Sequence, residues 1–230
     1  MVISGMQKLT LLDYPGKTAC LIFTQGCNFR CPFCHNRDLL DDENHCEEVF
    51  EEDVIKYLNK RKGLIDGICI SGGEPLLQND LEDFIIKVKK MGFLVKLDTN
   101  GSSPSKLKRL IDKGLIDYVA MDIKNDFTKY DKTAGIEKIK TDNIKRSIQI
   151  IENSGIDYEF RTTIVKQFHN LCGIENICGY IGPNSKYYIQ NYRDAKTVLQ
   201  HGLSGFDDDE LRKMQDKLKL VYPNVIVRGI

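Results

Sequence analysis

The chain has 230 residues, and its 33 Lys and Arg are balanced by 33 Asp and Glu, so the formal net charge is zero and no nucleic acid is expected as the main partner. No apolar run reaches the roughly 18 residues of a membrane span, and residues 1–7 lack the charged start and apolar body of a signal peptide, which predicts a cytoplasmic protein without a membrane partner. One sizeable core and a single domain over residues 1–230 are expected at this length.

Along the chain, short apolar runs rich in β-branched residues alternate with longer stretches of helical period. An N-terminal arm, residues 1–17 with a hairpin at 8–12, precedes a first strand at 18–23. The stretch 38–53 carries nine acidic side chains and no Lys or Arg, and reads as a solvated loop entering a helix N-terminus, where the macrodipole favours negative charge, or else as a partner-docking segment. Strands are predicted at 67–71, 93–98, 118–122, 158–165, 186–190 and 225–228. Between them Leu81, Phe84, Ile85 and Val88 share one helical face, as do Ile144, Ile148 and Ile151, with Asn79 and Thr141 as candidate N-caps. Gly63, Gly92, Gly114 and Gly155 stand where helices should stop. Repeated βα units of this kind build an α/β fold around a parallel sheet.

Eight cysteines without a secretory signal read as reduced thiols or metal ligands. Cys20 and Cys69 lie in apolar runs, as core thiols do, while Cys46, Cys172 and Cys178 have no assignment. The other three crowd into TQGCNFRCPFCHN, which puts Cys27, Cys31 and Cys34 on the loop after the first strand, at the end that carries the active site in parallel α/β folds. Spacings of three and two residues let one loop, shaped by Gly26 and Pro32, wrap three thiolates around one cluster and leave one iron open. Zinc is the competing metal, with His35, Cys20 or the Cys172 and Cys178 pair as a fourth ligand.

Other strand ends carry polar motifs. SGGEP places Gly72 and Gly73, which permit close backbone approach, beside the carboxylate of Glu74. DTNG holds Asp98, Thr99, Asn100 and Gly101, and DIK holds Asp122 and Lys124. Arg161 and the run Gln190, Asn191, Tyr192 and Arg193 are expected at the same ends. Each of these taken alone also reads as an ordinary turn or a solvated side chain.

The CxxxCxxC spacing with Phe33 before the last cysteine resembles the signature of radical S-adenosylmethionine (radical SAM) enzymes. More narrowly, LTLLDYPGKTACLIFTQGCNFRCPFCHN is similar to the start of activating proteins for anaerobic ribonucleoside-triphosphate reductase, which are themselves similar to pyruvate formate-lyase activating enzyme. The resemblance implies a partial TIM-type barrel of about six βα units with parallel strands. It also implies a 4Fe-4S cluster on Cys27, Cys31 and Cys34, with S-adenosylmethionine chelated to the open iron and reductively cleaved to a 5′-deoxyadenosyl radical. Cofactor contacts are then implied at Phe33, Gly72, Gly73, Glu74, Asp98, Thr99, Asn100, Asp122, Lys124 and Arg193, with Lys124 neutralising the methionine carboxylate, Ile164 and Val165 near the adenine, and a monovalent cation between Asp98 and Asp122.

His35 is read as a loop-shaping residue, and His45, His169 and His201 as surface histidines. The implied partners are a glycyl-radical enzyme and an electron donor of flavodoxin or ferredoxin type. A radical enzyme acting on a small metabolite or peptide would share these motifs, and a non-catalytic iron-sulfur or zinc module would share the triad.

Overall fold

The computed structural model describes residues 1–40 and 49–228. In chain order the elements are β1 Ile3–Thr10, β2 Ala19–Thr24, α1 Glu51–Lys60, β3 Gly67–Gly72, α2 Leu81–Lys90, β4 Leu94–Thr99, α3 Pro104–Asp112, β5 Tyr118–Asp122, α4 Tyr130–Ala134, α5 Thr141–Glu152, β6 Asp157–Ile164, α6 Leu171–Tyr180, β7 Tyr187–Asn191, α7 Asp208–Lys219 and β8 Val225–Arg228, with short 3-10 turns at Arg37–Leu39 and Pro75–Leu77. The strands lie in one sheet in chain order. β1 runs antiparallel to β2, whereas β2–β3, β3–β4, β6–β7 and β7–β8 pair in parallel. Six helical crossovers link β2 to β8 among the described residues, in agreement with the predicted number of βα units. None of the described helices is long and apolar enough to cross a membrane.

The N-terminal arm corrects the sequence reading. Residues 8–12 are not a separate hairpin ahead of the sheet; β1 begins at Ile3 and joins the sheet, with Met6 opposite Ile22. Its sequence, ISGMQKLT, lacks the alternation that marks a half-buried strand, and only Ile3 and Thr10 are buried. The N-caps also differ: Asp80 and Lys140 hold those positions, and neither makes a side-chain cap bond. The acidic run does end in the first turn of α1, at Glu51, Glu52 and Asp53. His45, Cys46 and the rest of residues 41–48 in the candidate docking segment lie outside the described residues. Gly63, Gly92, Gly114 and Gly155 all take positive φ, as their positions after helices predict.

Two compact units divide the chain, one of residues 1–28, 38–99 and 105–120, the other of residues 29–37, 100–104 and 121–230. In the first, α2 buries Leu81, Phe84, Ile85 and Val88, each contributing about 1.5–3 kcal/mol. Tyr14, Ala19, Leu21, Cys69, Tyr118 and Ala120 form an inner cluster, and the Tyr14 and Tyr118 rings meet edge to face at 5.8 Å. Cys20 and Cys69 are fully buried, as predicted, and burial pushes the Cys20 thiol up to about 12.

In the second unit α5 buries Ile144, Ile148 and Ile151, and α7 opens with a capping box between Asp207 and Glu210. His169, expected on the surface, is buried there instead. Its Nδ1 accepts from the Val165 N–H at 3.0 Å and its Nε2 lies 2.9 Å from the Lys124 carbonyl, so the ring ties the end of β6 to the segment after β5. No sequence spacing announces this, because both partners are backbone groups.

Burial holds the His169 pKa below its ordinary value near 6.5. The folded chain refuses a proton that the unfolded chain accepts, so His169's contribution is whole above about pH 6.5 and declines as pH falls below it. In urea melts, wild type is expected to exceed His169→Gln by about 1–3 kcal/mol at pH 8, with the gap narrowing from about pH 6.5 downward. A gap independent of pH would contradict this.

Candidate active site

Parallel register builds the first unit's part of the site. Thr24 pairs with Gly72, so the loops after β2 and β3 leave the sheet at the same level. The Gly73 N–H donates to the Thr24 carbonyl at 2.9 Å, and the Glu74 N–H donates to the Gly26 carbonyl at 2.8 Å. A Cβ at Gly73 would lie 2.6 Å from the Gly26 carbonyl carbon and 3.2 Å from the Cys27 nitrogen. The glycine therefore serves the approach of one loop backbone to the other, directly beneath the first cysteine.

Glu74 also has a structural part. It is fully buried, and its Oε1 accepts from the Leu76 N–H at 3.1 Å and from the Thr99 hydroxyl at 2.8 Å. It thus clasps the loop after β3 to the end of β4. Asp98, next to Thr99, receives the Ser71 hydroxyl at 3.2 Å and pairs with Lys96, a buried lysine that the sequence reading passed over.

The second unit holds Cys31 and Cys34. The Arg30 N–H donates to the Ala134 carbonyl at 2.8 Å, and Gly135, at φ 66°, brings its backbone so near that a Cβ would meet the Arg30 carbonyl. Phe33 is buried with its ring 6.2 Å from those of Phe168 and His169, so the aromatic of the motif anchors the loop. His35 shapes the loop, as read from sequence: Nε2 lies 2.7 Å from the Arg193 carbonyl and the ring stacks on Tyr192 at 5.6 Å. Arg193 is exposed and is brought to this loop through its backbone. The Asn191 side chain, by contrast, is spent on both backbone groups of Phe206.

Beside this loop runs a chain of alternating charges, Lys124, Asp122, Arg161, Glu159 and Arg228. Lys124 lies 3.1 Å from Asp122, Arg161 lies 2.9 Å from Asp122 and 3.8 Å from Glu159, and Arg228 lies 3.4 Å from Glu159. Burial alone would raise the Asp122 pKa, but Arg161 and Lys124 outweigh it and hold the carboxylate well below its usual range. Burial likewise opposes the charge on Lys124, and Asp122, together with the nearby Cys31 sulfur, keeps it firmly protonated. Cys31 thus sits close to a fixed positive charge.

The donor set fits an iron-sulfur cluster better than zinc. Three soft donors share one loop, and the residues considered for a fourth are committed elsewhere. Cys20 is a core thiol, burial pushes the Cys178 thiol up to about 12, Cys172 is exposed on α6, and His35 holds the Arg193 backbone. A closed structural zinc site would need that fourth ligand, whereas a cluster with one open iron does not. Among the described residues no three His, Cys, Asp or Glu side chains are already gathered for a metal ion, so the fit rests on donor chemistry. Asp98 and Asp122, expected beside a monovalent cation, are each paired with a cationic side chain: Asp98 meets Lys96, and Asp122 meets Lys124 and Arg161.

Comparison with known proteins agrees with this chemistry. Residues 21–181 match the model of the Radical SAM superfamily. A Methanocaldococcus jannaschii protein named "Putative glycyl-radical enzyme activating enzyme MJ1227" is 35% identical over 239 residues, covering 100% of this chain and 96% of that one. The pyruvate formate-lyase-activating enzyme of Clostridium pasteurianum is 31% identical over 169 residues, covering 71% of this chain and 68% of its own. In fold, Streptococcus suis SuiB bound to S-adenosylmethionine superposes with a TM-score of 0.72 at 16% identity over 91% of this chain, which spans 50% of that structure's length. Methylornithine synthase (PylB) superposes with a TM-score of 0.64 at 15% identity over 91% of this chain and 63% of its own. The chain therefore belongs to the radical SAM superfamily, whose members use a 4Fe-4S cluster and S-adenosylmethionine, in the group of the glycyl-radical enzyme activating enzymes.

Proposed function

We propose that this chain generates a glycyl radical on a partner enzyme, an anaerobic ribonucleoside-triphosphate reductase, with electrons from a donor of flavodoxin or ferredoxin type. The observation that carries the site's part in this is the placing of Lys124, partly buried and firmly protonated, close to the Cys31 sulfur. The N-terminal likeness to reductase-activating proteins supports the choice of partner, and the near full-length match to a named activating enzyme supports the reaction class.

In this reading Cys27, Cys31 and Cys34 hold the cluster. A bound cluster would pass one electron, received from the donor, to S-adenosylmethionine, so that the sulfonium–C5′ bond would break to methionine and a 5′-deoxyadenosyl radical, which would take one hydrogen atom from a partner glycine and end as 5′-deoxyadenosine. Lys124 would meet the methionine carboxylate as a point charge, held in place by Asp122, which is itself held by Arg161. Backbone carbonyls at Gly72 and Gly73 would accept from the methionine amino group. Asp98, Thr99 and Asn100 line the end of β4, where the Asn100 side chain closes a turn onto the Ser102 N–H at 2.9 Å. Arg193 would serve as a carboxylate or ribose contact. Glu74 and Phe33 position the two loops from within.

Lys124→Met is expected to weaken S-adenosylmethionine binding by about tenfold or more, equivalent to about 1.4 kcal/mol, while iron content stays at the wild-type level. Unchanged affinity would remove Lys124 from the site. Gly73→Ala, which drives a methyl group into the Gly26 carbonyl, is expected to slow cofactor cleavage by about a hundredfold, since small misplacements are costly in oriented reactions.

For the function itself, the cluster is reconstituted anaerobically and the chain is mixed with reductant, S-adenosylmethionine and each glycyl-radical enzyme of its source organism. Electron spin resonance should then report a glycyl radical on the reductase, formed together with 5′-deoxyadenosine. A radical on a different enzyme would correct the partner. Cofactor cleavage without a glycyl radical on any of them would overturn the activase reading in favour of a small-molecule or peptide substrate.

A further inference from the structure

Lys96 stands in the middle of β4, in the otherwise apolar sequence LVKLDT, and only 1% of it is exposed. A buried ammonium persists only where an opposite charge compensates its lost hydration. Residues two apart on a strand share a face, so the partner is Asp98, whose Oδ1 accepts from the Lys96 ammonium while its Oδ2 accepts from the Ser71 hydroxyl. The ammonium also lies 5.8 Å from the centroid of the Tyr118 ring, which is braced by Tyr14.

Other acidic groups on the packed elements do not take Asp98's place. Burial raises the Cys69 thiol on β3 far above its ordinary pKa, so it remains neutral beside Lys96, and Asp13 accepts from the Thr10 hydroxyl at 2.5 Å. Lys96 has three donors and no acceptor, and delivers one unit of positive charge to a carboxylate already oriented by Ser71. That is the service a monovalent cation gives, without a cation to be bound from solution.

We propose that Lys96 is the built-in counter-ion of Asp98, standing in for a monovalent metal cation, so that the loop after β3 is set for the cofactor without one. Lys96 acts as a positioning residue. It fixes Asp98, Asp98 fixes Ser71, and Ser71 begins the SGGEP loop whose glycines approach the Cys27 backbone. The inference rests on the assignment of that loop to S-adenosylmethionine, but its stability consequence holds for the chain without cofactor.

The test compares wild type, Lys96→Met and the double variant Lys96→Met/Asp98→Asn in sodium, potassium and choline chloride at about 0.1 M, where ionic strength is matched. Thermal melts are taken on the full chain without cofactor, and S-adenosylmethionine affinity on the cluster-loaded chain. Wild type should give the same melting temperature in all three salts and affinities within about twofold. In choline, Lys96→Met should bind about tenfold more weakly, and sodium or potassium should raise both its melting temperature and its affinity. The double variant, with no carboxylate left to compensate, should lose that salt rescue.

A wild-type chain that itself needs sodium or potassium would overturn the proposal. So would a Lys96→Met chain that matches wild type in choline, or one equally impaired in every salt. Absence of S-adenosylmethionine binding by wild type in all salts would instead sink the cofactor assignment, and the melts would still decide whether Lys96 is the counter-ion.

Discussion

The parallel pairing of β2 with β3 is the constraint from which the rest of the candidate site follows. With Thr24 opposite Gly72, the cysteine loop and the SGGEP loop start from the same level of the sheet, and Gly73 lets their backbones touch. Slipping the register by one residue would exchange the buried and outward faces of both strands, both of which are almost wholly buried. The hydrophobic core thus fixes the position of the first cysteine, through strands that carry none of the cluster chemistry.

Charge does the corresponding work in the second unit. The line from Lys124 to Arg228 alternates in sign, so every carboxylate in it lies between two cations and every internal cation between two carboxylates. Such a chain tolerates burial because each group's lost hydration is offset on both sides. Its exposed end is closed by Arg228, which lies 3.6 Å above the Tyr188 ring, and its other end presents Lys124 near Cys31. The lysine's counter-ion, Asp122, is shared with Arg161.

Much of this was legible in the sequence where the information is local. The cysteine triad sits in one loop, and strands such as β5 and β8 are short apolar runs with turn residues around them, so spacing and composition located them to the residue. β1 escaped because an edge strand paired on one side needs no apolar alternation. Glu74 and Phe33 are legible as motif residues, but their structural contacts are not, since the partners Thr99 and Phe168 come from distant elements. His169 gives no such signal because its partners are backbone groups, whereas Lys96, a lone lysine two residues before an aspartate in an apolar strand, is a signal legible in the sequence. The charge chain draws on β5, β6 and β8, so Arg161 and Glu159 acquire a meaning only once the sheet is formed.

The central claim is that Cys27, Cys31 and Cys34 carry a redox-active cluster that works on S-adenosylmethionine. The most direct measurement is iron, sulfide and zinc content of anaerobically prepared protein, coupled to product analysis after adding reductant and S-adenosylmethionine with no partner present. The account predicts about four iron and four sulfide per chain, with 5′-deoxyadenosine and methionine released, and loss of both metal and products when any one of the three cysteines is replaced by alanine. Stoichiometric zinc without iron, or a full cluster that releases no 5′-deoxyadenosine, would contradict it.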